Sequence, residues 1–257
     1  MTPPRQFPSL LASLLAGDPG RPLVTFYDDA TGERVELSVV TWANWVAKAA
    51  SLLTEECDLE RGAVLRLDLP PHWLSTVFAA AAWSAGIAVA PTDLDHHLVE
   101  DPGAALPDVV VCGPDGLGRW APHADGVVVL ACALLPLGVR FTDPLPAGVL
   151  DVGVEIWSQP DAFVADEPPT PEDAAVVGHG PATTQGDLLA AASASALVAD
   201  GDRVLTTHDL GGAPGLELLA AVLARRASLV LVTGLGAEGD ARLDALAEAE
   251  RATRRTA

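Results

Sequence analysis

Lysine is almost missing from this chain. Lys48 is the only one, so 14 of the 15 basic residues are arginine. A lysine ammonium is the point charge that phosphate and carboxylate chemistry often recruits, and here a single early residue would have to supply it. Cysteine is also scarce. Cys57, Cys112 and Cys132 are odd in number, widely spaced and free of any CxxC pair. That excludes a disulfide framework and a zinc knuckle, and the three read as buried thiols in a reducing compartment. Positive charge is short overall. Fifteen basic residues face 35 acidic ones, a net charge of −20. A nucleic-acid or anionic-membrane surface needs the opposite sign, so neither partner is expected. Long apolar runs are absent too. The longest, about 76–91, is Ala-rich, contains Gly86 and falls short of a bilayer span. The stretch Ser9–Ala16 imitates a signal peptide but is short and follows Pro8, so an amphipathic first helix is expected. The expectation is an acidic, soluble, cytoplasmic protein.

What is present is a core. Hydrophobic residues make up 49% of 257 positions, enough for one large α/β domain. Leu23–Tyr27 reads as a strand, Asp28–Gly32 as a turn and Val35–Leu37 as the returning hairpin strand. From Thr41 to Glu56 apolar residues recur at three- and four-residue steps, one face of a helix. Strands are expected at Val64–Leu69, Ile87–Ala90, Val109–Cys112 and Val127–Ala131. A helix is expected over Pro71–Ala85, with Pro71 in its first turn and Gly86 at its end. The Pro- and Asp-rich stretch 141–171 reads as an irregular surface connection. Order resumes with strands at Ala174–Val177, Arg203–Thr206 and Ser228–Val232. Helices are expected at Gln185–Ala199, Pro214–Arg226 and, charged and terminal, Asp240–Arg251. Alternating strands and helices imply a layered α/β/α fold with a mostly parallel sheet. The expected division is one domain over 1–235 and a terminal helix or tail over 236–257.

Three stretches carry a resemblance. Leu37–Ala50 (LSVVTWANWVAKAA) looks like a "TYxEL…vnrlA" strand-to-helix entry. Leu59–Leu67 (LERGAVLRL), running on to Pro91, looks like "GvkkGDrVal…kaGavvvPl". Arg203–Leu231 looks like "drvLs…gGl…llapLlaGatvVl". Each is ordinary α/β patterning, but their order and spacing together, over about residues 8–233, resemble the N-terminal part of the AMP-dependent synthetase superfamily. That superfamily comprises acyl-CoA ligases, peptide-synthetase adenylation domains and luciferases. The resemblance implies the first part of the synthetase large domain, in a short, degenerate, truncated form.

The same resemblance shows what is reduced. The superfamily holds ATP phosphates with a Ser/Thr/Gly-rich loop ending in Pro-Lys-Gly, between a strand and a helix. The matching place here is Val177–Gly186 (VGHGPATTQG), which has no lysine. Gly180, Thr183, Thr184 and Gly186 are the remnant that would meet a nucleotide, ATP or AMP being the class implied. The plainer reading makes Thr184 the cap of the next helix. An aromatic-His pair expected before "gGl" is replaced by Asp209–Gly215, with His208 displaced, and the adenine-binding and catalytic-lysine parts have no counterpart in these residues. Lys48, on the early helix, does not substitute. Losing groups that stabilise a phosphoryl transition state costs on the order of a thousandfold in rate. No catalytic or metal-binding residue is therefore assigned.

Other patterns are weaker. Gly234-Leu235-Gly236-Ala237-Glu238-Gly239 is a GxGxxG between a strand and a helix, yet the sequence is expected to end before a second strand with its acid. Asp93–His97 offers carboxylates and imidazoles but reads better as a helix start. Ala82–Gly86 lacks the first glycine of a nucleophile elbow. Trp42, Trp45, Trp73 and Trp83 read as core. The leading expectation is a pseudoenzyme that binds a protein partner or a second copy as a homodimer, or an acyl or nucleotide-like ligand. The alternatives are an enzyme with altered adenylate chemistry and a dinucleotide-binding module.

Overall fold

The structure is a computed structural model and describes residues 4–93, 106–136, 139–178 and 180–256. Helix α1 (Phe7–Leu15) buries Phe7, Leu10 and Leu14, the expected amphipathic stripe. Strands β1 (Pro22–Asp28) and β2 (Glu33–Ser38) form the expected antiparallel hairpin. Ser38 then caps α2 (Val39–Ser51), its hydroxyl accepting from the Thr41 amide at 3.2 Å. A π-helical turn over Leu52–Glu56 completes the apolar face.

Next come β3 (Val64–Asp68), α3 (Trp73–Ala85) and β4 (Ala88–Ala90). Gly86 ends α3 at φ 75°, the left-handed conformation that glycine accepts without strain. Pro71 is not in the helix, contrary to expectation. His72 is the cap instead, because its Nδ1 accepts from the Leu74 amide at 3.2 Å. All 13 residues of α3 are buried. A helix apolar on every side belongs between layers, and α3 packs against β1, β3 and β4 as well as α1, α2 and α7 (Ala213–Ala224).

That position explains the principal architectural difference from expectation. The strands divide between two sheets, one on each side of α3. The first runs β12–β10–β11–β1–β2, with β10 at Arg203–Thr206, β11 at Ser228–Thr233 and β12 at Arg254–Thr256. The second runs β7–β6–β5–β3–β4–β8–β9. Its remaining strands are β5 (Val109–Cys112), β6 (Val128–Ala131), β7 (Val149–Asp151), β8 (Ala174–Val176) and β9 (Thr183–Thr184). Pairing is parallel except β1 with β2 and β8 with β9. Short helix α4 (Leu117–Trp120) covers β5.

Two further expectations are corrected. The stretch 141–171 is not wholly irregular. It contains β7, which pairs with β6, and α5 (Val152–Glu155), and it buries Val152 and Ile156. Elements of three and four residues leave no period to read. Helix α6 (Gln185–Ala194) stops five residues early, because Ser195 turns to extended backbone at ψ 131°. After residue 236, helix α8 (Gly239–Ala249) buries Leu243 and Leu246 against Leu205, Val230 and Val232. Strand β12 then pairs in parallel with β10. Arg203 ties this corner together, donating to Glu250 and, at 3.0 Å, to Thr25. The three cysteines are free. Cys112 and Cys132 are buried and Cys57 is half-buried, with burial pushing the Cys57 and Cys112 thiols up to about 12. Among the described residues no helix is long and apolar enough to cross a membrane.

Candidate functional site

The place where a nucleotide loop is expected lies between β8 and α6. Strand β9 returns antiparallel to β8 and delivers the chain into α6. Thr184 is the cap of that helix: its hydroxyl oxygen accepts from the Asp187 amide at 3.1 Å and the hydroxyl donates to the Asp187 carboxylate at 2.9 Å. The Gln185 amide donates to Asp173 O and the Gly186 amide to Pro171 O, both at 2.8 Å. A helix start binds anions because its first amides have no partner in the helix. Here the first three amides of α6 are already spent on the protein itself.

The four remnant residues therefore part company. Gly180 and Thr183 line a cleft of about 260 Å³, while Thr184 and Gly186 do not. Gly186 is under the backbone of 171, where a side-chain Cβ would sit 3.0 Å from Pro171 O. Its lack of a side chain permits this close approach.

The far wall of the cleft comes from Pro91, Asp93 and the start of α7. Asp93 accepts from the Ala213 amide at 3.0 Å, so a carboxylate of the protein also occupies this second helix start. The place of the aromatic-His pair is a locked turn. Asp209 accepts from the Gly211 amide at 2.9 Å and from the Thr92 hydroxyl, and the Thr92 amide donates to Gly211 O at 2.9 Å. His208 does not line the cleft; its amide donates to Thr206 at 3.1 Å. Beneath, buried Arg66 donates to Pro91 O at 2.6 Å and Thr92 O at 3.1 Å, holding the loop. The cleft thus presents two carboxylates, Asp93 and Glu217, and no lysine or arginine among its described lining. Both acids lie far in sequence from the loop they face, and no motif announces them.

The other patterns resolve similarly. Lys48 is on α2, donating to Gln159 O and pairing with Asp161 at 3.1 Å. Ser84 donates inside α3 to Ala80 O at 2.8 Å. Trp42, Trp73 and Trp83 are core, whereas Trp45 is half-buried against Trp73 and Trp157. The late glycine run does precede a second strand, correcting the expectation that none follows, but β12 carries Arg254, Arg255 and Thr256 and no acid. Gly234, at φ 69°, is a tight turn in which a Cβ would lie 2.2 Å from the Asp28 carboxylate. His179 and Asp95–His97 lie outside the described residues, and among the described residues no acidic, His or Cys group could hold a metal.

No protein-family model matches the chain. The fold nevertheless has close counterparts. An acyl-CoA synthetase of Brucella canis superposes over 97% of this chain with a TM-score of 0.73 at 17% identity. A fatty acyl CoA synthetase of Mycobacterium tuberculosis does so over 98% with 0.71 at 15%, and the amide bond synthetase McbA of Marinactinospora thermotolerans over 97% with 0.68 at 23%. The chain spans about half of each: 51%, 49% and 48%. This is the fold of the N-terminal part of the AMP-binding, adenylate-forming synthetases, as the sequence resemblance implied. Within that class, a TIGR03089 family protein of Mycobacterium tuberculosis (strain ATCC 25618 / H37Rv) is 34% identical over 239 residues, 90% of each chain. The chain belongs to that family.

Proposed function

We propose that this chain is a non-catalytic relative of the adenylate-forming synthetases that works by binding, not by making adenylates. The observation that carries the reading is the spent helix start beside an acidic cleft. Three amides of α6 are consumed internally, and Asp93 and Glu217 face the space where phosphates would lie. Each carboxylate within 4 Å of a phosphate charge opposes it by about 1 to 4 kcal/mol, and the cation beneath the cleft, Arg66, is buried, committed to Pro91 O and Thr92 O, and coupled to Asp93. The reduced cleft suits a small uncharged acyl or nucleoside-like group. A protein partner, or a second copy, has a surface to use: Trp157 is 55% exposed on the turn that also presents Val154. Free cysteines fit a cytoplasmic location.

The test is thermal unfolding with ATP-Mg, AMP and a non-hydrolysable acyl-adenylate, beside ATP–pyrophosphate exchange. A ligand at a hundred times its Kd stabilises by about 2.7 kcal/mol, a visible shift. ATP-Mg is expected to give neither shift nor exchange. A shift with ATP-Mg together with exchange overturns the reading in favour of an enzyme with altered chemistry. A shift with the acyl-adenylate alone supports ligand binding. No shift with any supports the protein-partner form, and light scattering then reports self-association.

A further inference from the structure

On a second face of α6 lies a groove of a different character. Helix α1 forms one wall, α6 another, and the chain leaving α7 the floor, enclosing about 900 Å³. Its charged lining is Arg5, Arg225 and Arg226 against Asp200, a surplus of two positive charges in a chain of net charge −20. Arg225 pairs with Asp200 at 3.1 Å and donates to Ser195 O at 3.3 Å. Its Nε is buried without a partner, and so is Nη2 of Arg21, a guanidinium close enough to Arg226 to feel its charge. Arg5 and Arg226 make no ion pair among the described residues. Buried guanidinium N–H groups left unspent are uncommon, because each forgoes a hydrogen bond.

The backbone around the groove sets where its charge comes from. Arg226 has φ 50°, a left-handed conformation that glycine takes freely and arginine only under strain. Glycine would end α7 without that strain; the arginine found there lines the groove. Helix α1 starts at the groove with no acid in its first turn, but its first amide donates to Gln185 Oε1 at 2.9 Å and Pro8 has none, so the positive charge here comes from the arginines and not from the helix start. Leu10, Leu189 and Ala224 line the rest. The volume is that of a small-molecule site.

We propose that this groove binds a phosphate monoester carried on a short apolar body. A dianionic phosphate matches the two-charge surplus where a carboxylate leaves half of it unmet, and guanidinium forks match phosphate oxygens in pairs. The site is separate from the loop cleft, and its test does not depend on the reading of that cleft.

The experiment is calorimetric titration of the full chain with hexyl phosphate, inorganic phosphate and hexanoate. The variants are Arg226→Gly and Arg5→Gln, each with its melting temperature. Hexyl phosphate should bind saturably, roughly tenfold or more tighter than either other probe. Arg226→Gly should weaken it by about tenfold or more while leaving the melting temperature unchanged or higher, since glycine relaxes the turn. Arg5→Gln, at an exposed position, should weaken binding without touching the fold. Absence of saturable binding up to about 10 mM, or binding that both variants leave unchanged, overturns the proposal. Equal binding by inorganic phosphate overturns the apolar half of the assignment, and equal binding by hexanoate overturns the dianionic half.

Discussion

Helix α6 has a cleft on each of two faces, and the two carry opposite charge. Leu188 faces the loop cleft with Asp93 and Glu217; its neighbour Leu189 faces the groove with Arg5, Arg225 and Arg226. The loop cleft has the topology of a phosphate site, a strand, a glycine-bearing loop and a helix start, yet its amides are spent and its charges are negative. The groove has no such topology, yet its guanidinium groups are left over. On the two proposals made above, anion binding follows the supply of unspent donors and the sign of nearby charge, not the place in the fold. A scaffold can keep its strand–loop–helix geometry after the donors have been redirected to hold the scaffold itself.

Both clefts rest on one buried residue, which gives the largest expected effect. Gln185 is 1% exposed; its Oε1 accepts from the Phe7 amide at 2.9 Å and its Nε2 donates to Trp83 O at 2.8 Å. It joins α1, α3 and α6. Gln185→Ala strands two buried groups, at about 1 to 3 kcal/mol each, and should cost about 4 kcal/mol in urea unfolding. It should weaken hexyl phosphate binding as well, because α1 is the groove's wall. A cost under about 1 kcal/mol would mean that the two sides of α6 are independent, and the comparison would lose its shared footing.

Acid tests the same footing at the other end of α3. Burial holds the His72 imidazole down to about 4, against an ordinary 6.5, despite the opposing pull of Asp28. Between those values the unfolded chain binds a proton that the folded chain does not, so stability rises with pH across the window and falls as pH drops from about 6.5 to 4. The full window is worth about 3 kcal/mol. Urea unfolding at several pH values should show this slope, and His72→Asn, which keeps an acceptor for the Leu74 amide, should flatten it. A slope that survives in the variant would place the acid-sensitive group elsewhere.

How much of this was legible depended on whether the signal was local. Val109–Cys112 and Ser228–Val232 read as strands because four consecutive apolar residues suit a strand covered on both faces. Gly86 read as a helix end because one residue decides it. Arg254–Thr256 was invisible: its place in the sheet comes from pairing with Val204–Thr206 about 50 positions earlier, not from its own composition. The division into two sheets was equally hidden, since it depends on α3 being apolar all round and lying between them. At the candidate site Thr184 was legible as a cap, because the donor is three residues on. Asp93 was not, because the amide it satisfies is 120 residues away. Arg226 gave no warning either. A side chain is readable, but a φ of 50° is not.

The smallest expected effect is also the sharpest for the comparison, because it sets two adjacent residues of one type against each other. Thr184 caps α6; Thr183 is exposed and lines the cleft. If the loop is structural, Thr184→Ala should cost about 1 kcal/mol, the worth of a helix cap, and Thr183→Ala should stay within about 0.5 kcal/mol. If the loop holds phosphate, the order reverses in a binding assay: Thr183 is the hydroxyl that reaches the cleft, and its loss should abolish any ATP-dependent shift while stability barely changes. Urea unfolding and nucleotide titration of the two variants, run side by side, separate a hydroxyl that serves the helix from one that serves a ligand. The spent amides of Gln185, Gly186 and Asp187 favour the first, since a phosphate drawn to Thr183 would meet no free donor at the start of α6 and would face Asp93 and Glu217 across the cleft.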